Sequence, residues 1–296
     1  MPRHTARHRT PCPRGLVNAR LRRFAFALFA LSLPLSAAEP STPVELRLWR
    51  LDCGQLWTYN LDEMSDTRAY VGQSKRFVGS CYLIRHGNDY LLWDTGLSRE
   101  YLGKPLTQGK EDSTALARTV VDQLAQIDVK PAQISKVGIS HYHFDHIGQA
   151  AEFPQATLLI GAGDYAVLGT PGHEERTRRF APWLGKDAKV EKVRGDLDVF
   201  GDGSVVMLDL PGHTPGHHGL LVNLPRRGPV LLSGDVVHLH ENLDTRGVPS
   251  FNTDRAQSLA SMDRFASLAR NLKATLIIQH EEADVGKLPM FPEAAE

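Results

Sequence analysis

A six-residue stretch near the middle of the chain concentrates the side chains that are most able to bind metal. It reads His-Tyr-His-Phe-Asp-His over residues 141–146, so four of its six residues carry an imidazole or a carboxylate. It directly follows the apolar run at residues 137–140. These ligand types suit zinc, and iron, manganese or cobalt also fit. A strand that ends in such a loop indicates a metal site rather than packing.

Three other apolar runs also end close to a metal-type residue. These residues are His213, Asp235 and His280. Ligands at the ends of several strands can meet at one edge of a sheet. In the central stretch, the His-x-His pair points the same way in an extended loop, and the Asp-His pair that follows can reach a second ion. We therefore expect one metal site that draws its ligands from distant parts of the chain.

The elements that must position these residues form two groups of strands, each followed by a helix. In the first group, alternation and turn residues predict a strand over 44–51, a long loop over 54–77, a hairpin over 81–93, a helix over 115–126 capped by Ser113 or Thr114, and strands from 137 and over 157–160. In the second group they predict strands over 204–210, 219–223, 230–232 and 275–278, and a helix over 254–270. A polar insertion over 169–198 is expected to border the site. Two such groups predict two packed sheets with helices outside, an α/β fold.

The first 38 residues have the composition of a secretory signal peptide. They hold seven Arg and no acidic residue, and an apolar stretch over 24–35 is followed by Ser36, Ala37 and Ala38. A basic, then apolar, then small-residue order is typical of a cleaved leader. The alternative, a retained membrane anchor, is opposed by an apolar run too short to span a bilayer. We predict a signal peptide over 1–38, a domain over 39–296 and a periplasmic or secreted protein with no stable membrane span.

Removal of this leader changes the charge balance. The whole chain has 34 basic and 34 acidic residues, and without the leader 27 basic residues remain. The resulting acidic domain lacks the basic surface expected of a nucleic-acid-binding protein.

Two cysteines, Cys53 and Cys81, remain in the predicted mature domain. They could pair in an oxidising compartment. Both lie in apolar, strand-like surroundings, which favours two unpaired small hydrophobic residues on neighbouring strands.

Taken together, the motifs resemble those of the metallo-β-lactamase-fold superfamily, whose fold is an αββα sandwich. The resemblance runs from the turn at Asp94-Thr95-Gly96 to His280. It implies a first metal held by His141, His143 and His213, a second held by Asp145, His146 and His280, and Asp235 bridging the two. These ligands imply two divalent ions, with zinc favoured.

Within that superfamily, the chain is most similar to the N-acyl homoserine lactone lactonases. The similarity lies in residues 141–148, in Gly-His-Thr-Pro-Gly-His over 212–217 and in Leu-Ser-Gly-Asp over 232–235. It implies a hydrolase that opens the lactone ring of N-acyl homoserine lactones (quorum quenching) by attack of a metal-bridging hydroxide. Secreted organophosphate hydrolases share the same ligands, so a phosphotriester hydrolase or another metal-dependent esterase remains the alternative.

Two residues are candidates for roles beyond metal binding. Asp145 can carry a proton to the leaving oxygen. Many of these lactonases have a Tyr three residues after the bridging Asp, which helps to polarise the lactone carbonyl; here His238 stands there. His238 either keeps that role by donating a hydrogen bond or has none. The acyl chain is expected to lie against apolar walls, with Trp57, Tyr70, Phe77 and Phe144 as candidates.

Overall fold

The structure, a computed structural model, describes residues 44–296, and the predicted signal peptide lies outside them. In this part of the chain one sheet has seven strands in the order β4-β1-β2-β3-β5-β6-β7. The strands are β1 (Leu46–Thr58), β2 (Lys75–His86), β3 (Asp89–Trp93), β4 (Ser113–Ala115), β5 (Ile134–Ile139), β6 (Thr157–Gly161) and β7 (Val190–Val193). From β4 to β3 the pairing is antiparallel, whereas β3, β5, β6 and β7 are parallel.

The second sheet has five strands in the order β12-β11-β10-β9-β8. They are β8 (Leu197–Asp198), β9 (Val205–Asp209), β10 (His218–Leu224), β11 (Gly228–Leu232) and β12 (Thr275–Ile277). Only β11 and β12 are parallel, and the other pairs are antiparallel. The polar segment over 169–198 therefore contributes the edge strand of one sheet and the edge strand of the other.

Six α-helices connect or cover these strands in the described chain. They are α1 (Val120–Gln126), α2 (Phe144–Ile147), α3 (Ala162–Val167), α4 (Glu174–Arg179), α5 (His240–Thr245) and α6 (Arg255–Leu272). Helix α1 packs Val120 and Leu124 against the outer face of the first sheet, and α6 packs Met262 and Phe265 against the outer face of the second. None of the helices within 44–296 is both long and apolar enough to cross a lipid bilayer.

The main core lies between the two sheets. Alternate residues of a strand face opposite sides, so Tyr82 and Ile84 of β2 point into this core, whereas Cys81 and Leu83 point towards the helices. From the second sheet, Met207, Leu220 and other apolar side chains complete the layer. The predicted αββα sandwich is therefore confirmed.

Two elements differ from the sequence prediction. Strand β1 continues to Thr58 because it pairs with both β2 and β4, so part of the loop predicted over 54–77 is strand. The residues predicted to cap a helix, Ser113 and Thr114, belong to β4, and the helix begins later. Thr119 caps it and exchanges hydrogen bonds with Asp122, which satisfies the first backbone N–H groups. In both places the pairing of β1 with β4 sets where the strand or helix begins and ends, and this pairing between distant segments leaves no local pattern in the sequence.

The expectation that the two cysteines are unpaired is wrong, because Cys53 and Cys81 form a disulfide. Both cysteines do lie on neighbouring strands, β1 and β2. The pairing register of β1 shifts between Asp52 and Gly54, so Cys53 has no direct partner in the ladder. This bulge redirects the side chain towards Cys81, with the two Cα atoms 5.7 Å apart.

Candidate metal centre

The seven predicted metal ligands come together at one edge of the sandwich, although they follow strands of both sheets. They form two clusters, and in each the ligand atoms lie within 4.8 Å of one another. The clusters are His141, His143, His213 and Asp235, and Asp145, His146 and His280. The loop after β5 and helix α2 supply the central motif, and loops after β9, β11 and β12 supply the other ligands.

Asp235 lies between the clusters, and its two carboxylate oxygens face different ones. Oδ2 is 3.5 Å from Nε2 of His141 and 3.5 Å from Nε2 of His213. Oδ1 is 3.3 Å from Nε2 of His146 and 3.1 Å from Nε2 of His280. One carboxylate can therefore serve two ions.

Hydrogen bonds to Nδ1 fix the orientation of four imidazoles. In each case an oxygen faces Nδ1, so Nδ1 carries a proton and Nε2 is the nitrogen that faces the centre. The partners are Ser140 Oγ for His141, Asp94 Oδ2 for His146, Asn252 Oδ1 for His213 and the Val78 carbonyl for His280. His143 is reversed, and its Nδ1 lies 2.9 Å from Nε2 of His213.

Several atoms of these side chains are buried without a hydrogen-bond partner among residues 44–296. They include Nε2 of His141, Nε2 of His146 and Oδ1 of Asp235. Buried polar atoms without a hydrogen-bond partner are rare and energetically costly, and here all three face the space between the two ligand clusters. Five imidazoles and two carboxylates form the donor set expected for divalent metals such as zinc, so the residues fit a two-metal centre.

Burial keeps the imidazoles of the first cluster neutral. It lowers the pKa of His141 and His143 well below the usual value and lowers the pKa of His213 to about 3. Neutral imidazole is the form that binds metal.

The second cluster is different, because acidic groups surround its imidazoles. Burial opposes the charged form of His146 and of His280, but carboxylates, Asp235 first among them, outweigh burial and raise the pKa of both. Burial would raise the pKa of Asp235 itself, but the neighbouring imidazoles, led by His280, hold it well below the usual range. Asp235 therefore stays ionised and available as a ligand.

A second layer of residues holds the ligands in place. His217 receives a hydrogen bond from the backbone N–H of Asp235 on Nε2 and donates from Nδ1 to the Leu210 carbonyl. Both ring nitrogens are used, so His217 positions Asp235 and is not a ligand. Asp94 accepts hydrogen bonds from His146 and from the hydroxyl of Ser140.

His238 also faces the centre, but its ring is held differently from the ligands. Its Nε2 lies 3.1 Å from Oδ2 of Asp235, and its Nδ1 is buried with no partner among the described residues. A buried N–H without an acceptor costs more than a lone pair without a donor. The proton therefore belongs on Nε2, where it can be donated to an oxygen.

Three positioning residues were not assigned a role from the sequence. Asp94, which contacts His146, has no predicted role beyond its place in a turn, and Asn252, which contacts His213, lies just before the predicted helix, whose N-cap is Asp254. Asp164, fully buried at the start of α3, accepts hydrogen bonds from the Thr214 hydroxyl and the Gly216 N–H and so supports the loop that carries His213. The only sequence signal for Asp94 was its place at the end of an apolar strand.

A pocket of about 280 Å³ opens onto the centre. Of the predicted walls, Trp57, Phe77 and Phe144 line it, whereas Tyr70 packs into a core cluster with Leu61 and Leu239. Phe251, which the sequence did not single out, also lines it and lies against the ring of His143.

Comparison with known proteins places these features in a family context. A family profile described as "Metallo-beta-lactamase superfamily" matches residues 75–280. The chain is 31% identical over 180 residues to the N-acyl homoserine lactonase AttM of Rhizobium radiobacter, covering 58% of this chain and 68% of that protein. It is 28% identical over 169 residues to the protein of the same name from Azorhizobium caulinodans, covering 54% of this chain and 63% of the relative.

Among solved structures, the fold is similar to that of an N-acyl homoserine lactone hydrolase determined with N-hexanoyl-L-homoserine, the product, at its catalytic metal centre. The TM-score is 0.71 at 21% identity, and the match covers 86% of this chain and all of that one. At this identity, the likeness bears on the fold alone.

Proposed function

Because the chain belongs to the metallo-beta-lactamase superfamily, we propose that it is a two-metal hydrolase that opens the lactone ring of N-acyl homoserine lactones. The single observation that carries the proposal is Asp235, whose two oxygens face two separate ligand clusters. The names of the similar proteins support the choice of lactone as substrate.

The two clusters would each hold one ion. His141, His143 and His213 would bind the first, and Asp145, His146 and His280 the second, with Asp235 shared. Such ions lower the pKa of water and stabilise negative charge on a carbonyl oxygen. The imidazole-rich donor set favours zinc, and iron, manganese or cobalt also fit.

Two side chains would act on the substrate directly. Asp145 Oδ2 lies 3.6 Å from Nε2 of His146 and of His280 and lines the pocket, where a carboxylate can hold a proton and pass it to the leaving alkoxide. His238 carries its proton on Nε2, which faces Asp235 Oδ2 in this structure. With Asp235 bound to the ions, that N–H would be available to donate a hydrogen bond to the oxygen of the lactone carbonyl. The apolar walls formed by Trp57, Phe77 and Phe144 would take the acyl chain.

The test is a comparison of substrates on metal-loaded protein. We expect N-acyl homoserine lactones to be hydrolysed with a much higher kcat/KM than an aryl phosphotriester. The reverse order would replace the lactonase assignment with a phosphotriester hydrolase.

A single substitution tests the two-metal site itself. Asp235→Asn removes the shared charge, so we expect one bound ion or fewer by elemental analysis and a fall in kcat/KM of at least about 100-fold. Wild-type activity with two bound ions would refute the assignment of Asp235.

We also propose that the protein is exported, to the periplasm or beyond, after removal of residues 1–38. The leader's basic, apolar and small-residue order supports this, and so does the Cys53–Cys81 disulfide, since disulfides persist in oxidising compartments. N-terminal sequencing of protein recovered from a bacterial periplasm should begin at Glu39. An uncleaved, membrane-associated chain would contradict the proposal.

A further inference from the structure

We propose that a second cavity, on the other side of Phe144 from the metal pocket, binds a carboxylate at the distal end of the acyl chain through Arg176. This inference rests on the proposed lactonase function, because it assigns one end of the same substrate. It defines a substrate class: N-acyl homoserine lactones whose acyl chain ends in an acid.

The cavity adjoins the metal pocket and has a volume of about 310 Å³. Phe144 and Ile147 of α2 form one side, and α4 with its preceding turn forms the other. Phe144 lines both this cavity and the metal pocket, and 47% of its surface is exposed. A flexible chain that leaves the metal pocket across Phe144 would therefore enter the second cavity.

The two arginines that line this cavity differ in their charged partners. Arg179 is paired with Glu100 at 3.0 Å and with Glu175 at 3.3 Å. Arg176 instead contacts Nδ1 of His173 and stacks over the ring of Tyr142. Among residues 44–296, no carboxylate lies within ion-pair distance of Arg176, so its half-buried guanidinium has no direct counter-ion, although Glu100 and Glu175, both held by Arg179, line the same cavity.

This arrangement suits a carboxylate in particular. A guanidinium offers planar, paired N–H donors that match the two oxygens of a carboxylate, and partial burial strengthens the attraction. The neighbouring surfaces of Phe144, Ile147 and Tyr101 are apolar or aromatic, so they suit the methylene groups before the acid.

The distances place this cation within reach of a substrate at the centre. The ring centroids of His143 and Tyr142 are 5.4 Å apart, and Cζ of Arg176 lies 4.9 Å from the Tyr142 ring. The guanidinium is therefore no more than about 10 Å from the ring of a predicted metal ligand. An acyl chain of moderate length can bridge that span.

The experiment compares two series of N-acyl homoserine lactones of matched chain length, one ending in a carboxylate and one in a methyl group. The readout is the ratio of kcat/KM for the two endings. We expect Arg176→Gln to lower this ratio by about 10-fold or more, mainly through KM, because the variant loses the charge-assisted hydrogen bonds to the distal carboxylate. Arg176→Lys should restore part of the ratio.

The matched control is Arg178→Gln, an exposed arginine on the same helix that does not line the cavity. It should leave the ratio unchanged. If Arg176→Gln lowers kcat/KM equally for the carboxylate-ended and the methyl-ended substrates, the subsite is overturned, because Arg176 would then only support Tyr142 and the centre.

Calorimetric binding of the ring-opened, carboxylate-ended product separates failure of this inference from failure of the proposed function. If no lactone is hydrolysed, the lactonase proposal fails, and the subsite is judged by this binding alone. Binding that is weaker in Arg176→Gln than in Arg178→Gln supports the subsite, and equal binding overturns it.

Discussion

At the scale of single residues, the orientation of each imidazole at the centre depends on what its other nitrogen contacts. Four ligands have an oxygen on Nδ1, and His217 uses both nitrogens, so their roles differ although the side chains are identical. His238 fits neither pattern, because its Nδ1 has no partner among residues 44–296. We therefore treat it as a hydrogen-bond donor.

This assignment of His238 predicts that a phenol can replace it. His238→Tyr restores an O–H donor and should keep kcat/KM for lactones within about 10-fold of the wild type. His238→Phe keeps an aromatic ring but no donor, and should lose about 100-fold. Metal content, measured by elemental analysis, should be unchanged in both. Loss of an ion from His238→Phe would show instead that His238 is a ligand.

Asp164 is a second residue whose surroundings give a testable result. Burial raises the pKa of Asp164 to about 7, although hydrogen bonds from Thr214 and Gly216 oppose the shift. The folded protein therefore retains a proton that the unfolded chain releases near pH 4, so this group's contribution to stability is lost as pH rises from about 4 to about 7.

The prediction concerns the difference between Asp164→Asn and the wild type. The free energy of unfolding of the variant minus that of the wild type should increase over that interval by roughly 4 kcal/mol at most and stay constant above it, so the variant becomes the relatively more stable protein. Denaturant titrations of metal-free protein at several pH values measure this. A difference that does not change with pH would show that Asp164 titrates normally.

At the scale of elements, the long antiparallel pair of β1 and β2 connects the edge strand β4, which pairs with β1, to the central strand β3, which pairs with β2. Leu56 pairs with Phe77, and both lie at the metal pocket. The Cys53–Cys81 disulfide crosses this strand pair at the β1 bulge, between that end and the rest of the sheet. The bulge and the disulfide together fix one wall of the pocket.

We predict that this disulfide stabilises the domain by about 3 kcal/mol, because it closes a loop with a sequence separation of 28 and so restricts the unfolded chain. Reduction with a phosphine should lower the denaturation midpoint of the wild type. The double variant Cys53→Ala, Cys81→Ala should be less stable from the start and insensitive to the reductant. Equal sensitivity of the two proteins would argue against the bond.

At the scale of the whole molecule, the candidate centre joins the two sheets. The loop after β5 of the first sheet and helix α2 carry the ligands of residues 141–146, whereas His213, Asp235 and His280 follow strands of the second sheet. Ions bound there would link the two layers at one edge of the sandwich. Metal should therefore contribute to global stability as well as to catalysis.

Metal removal tests this link. A ligand at about a thousand times its Kd stabilises the folded state by about 4 kcal/mol, which corresponds to a Tm change of about 10 °C for a domain of this size. We expect a chelator to lower Tm by that order and zinc to restore it. The Asp235→Asn variant serves as the control, because its response should be much smaller. An unchanged wild-type Tm would show that the centre does not couple the sheets.

The amino-acid sequence alone determined the fold class and the identity of the predicted ligands. Local patterns, namely alternating strands and ligand residues placed directly after them, as at 141–146 and at Asp235, predicted two packed sheets and the candidate ligands, and the family resemblance implied how two ions would share them. The tertiary structure decided what depends on contacts between distant segments. The β1 bulge brought Cys53 to Cys81, and pairing between β1 and β4 replaced the first turn of a predicted helix. The proton position on His238 and the unpaired charge of Arg176 likewise follow from neighbours far away in the chain, because a side chain's environment is set by packing and not by its own sequence context.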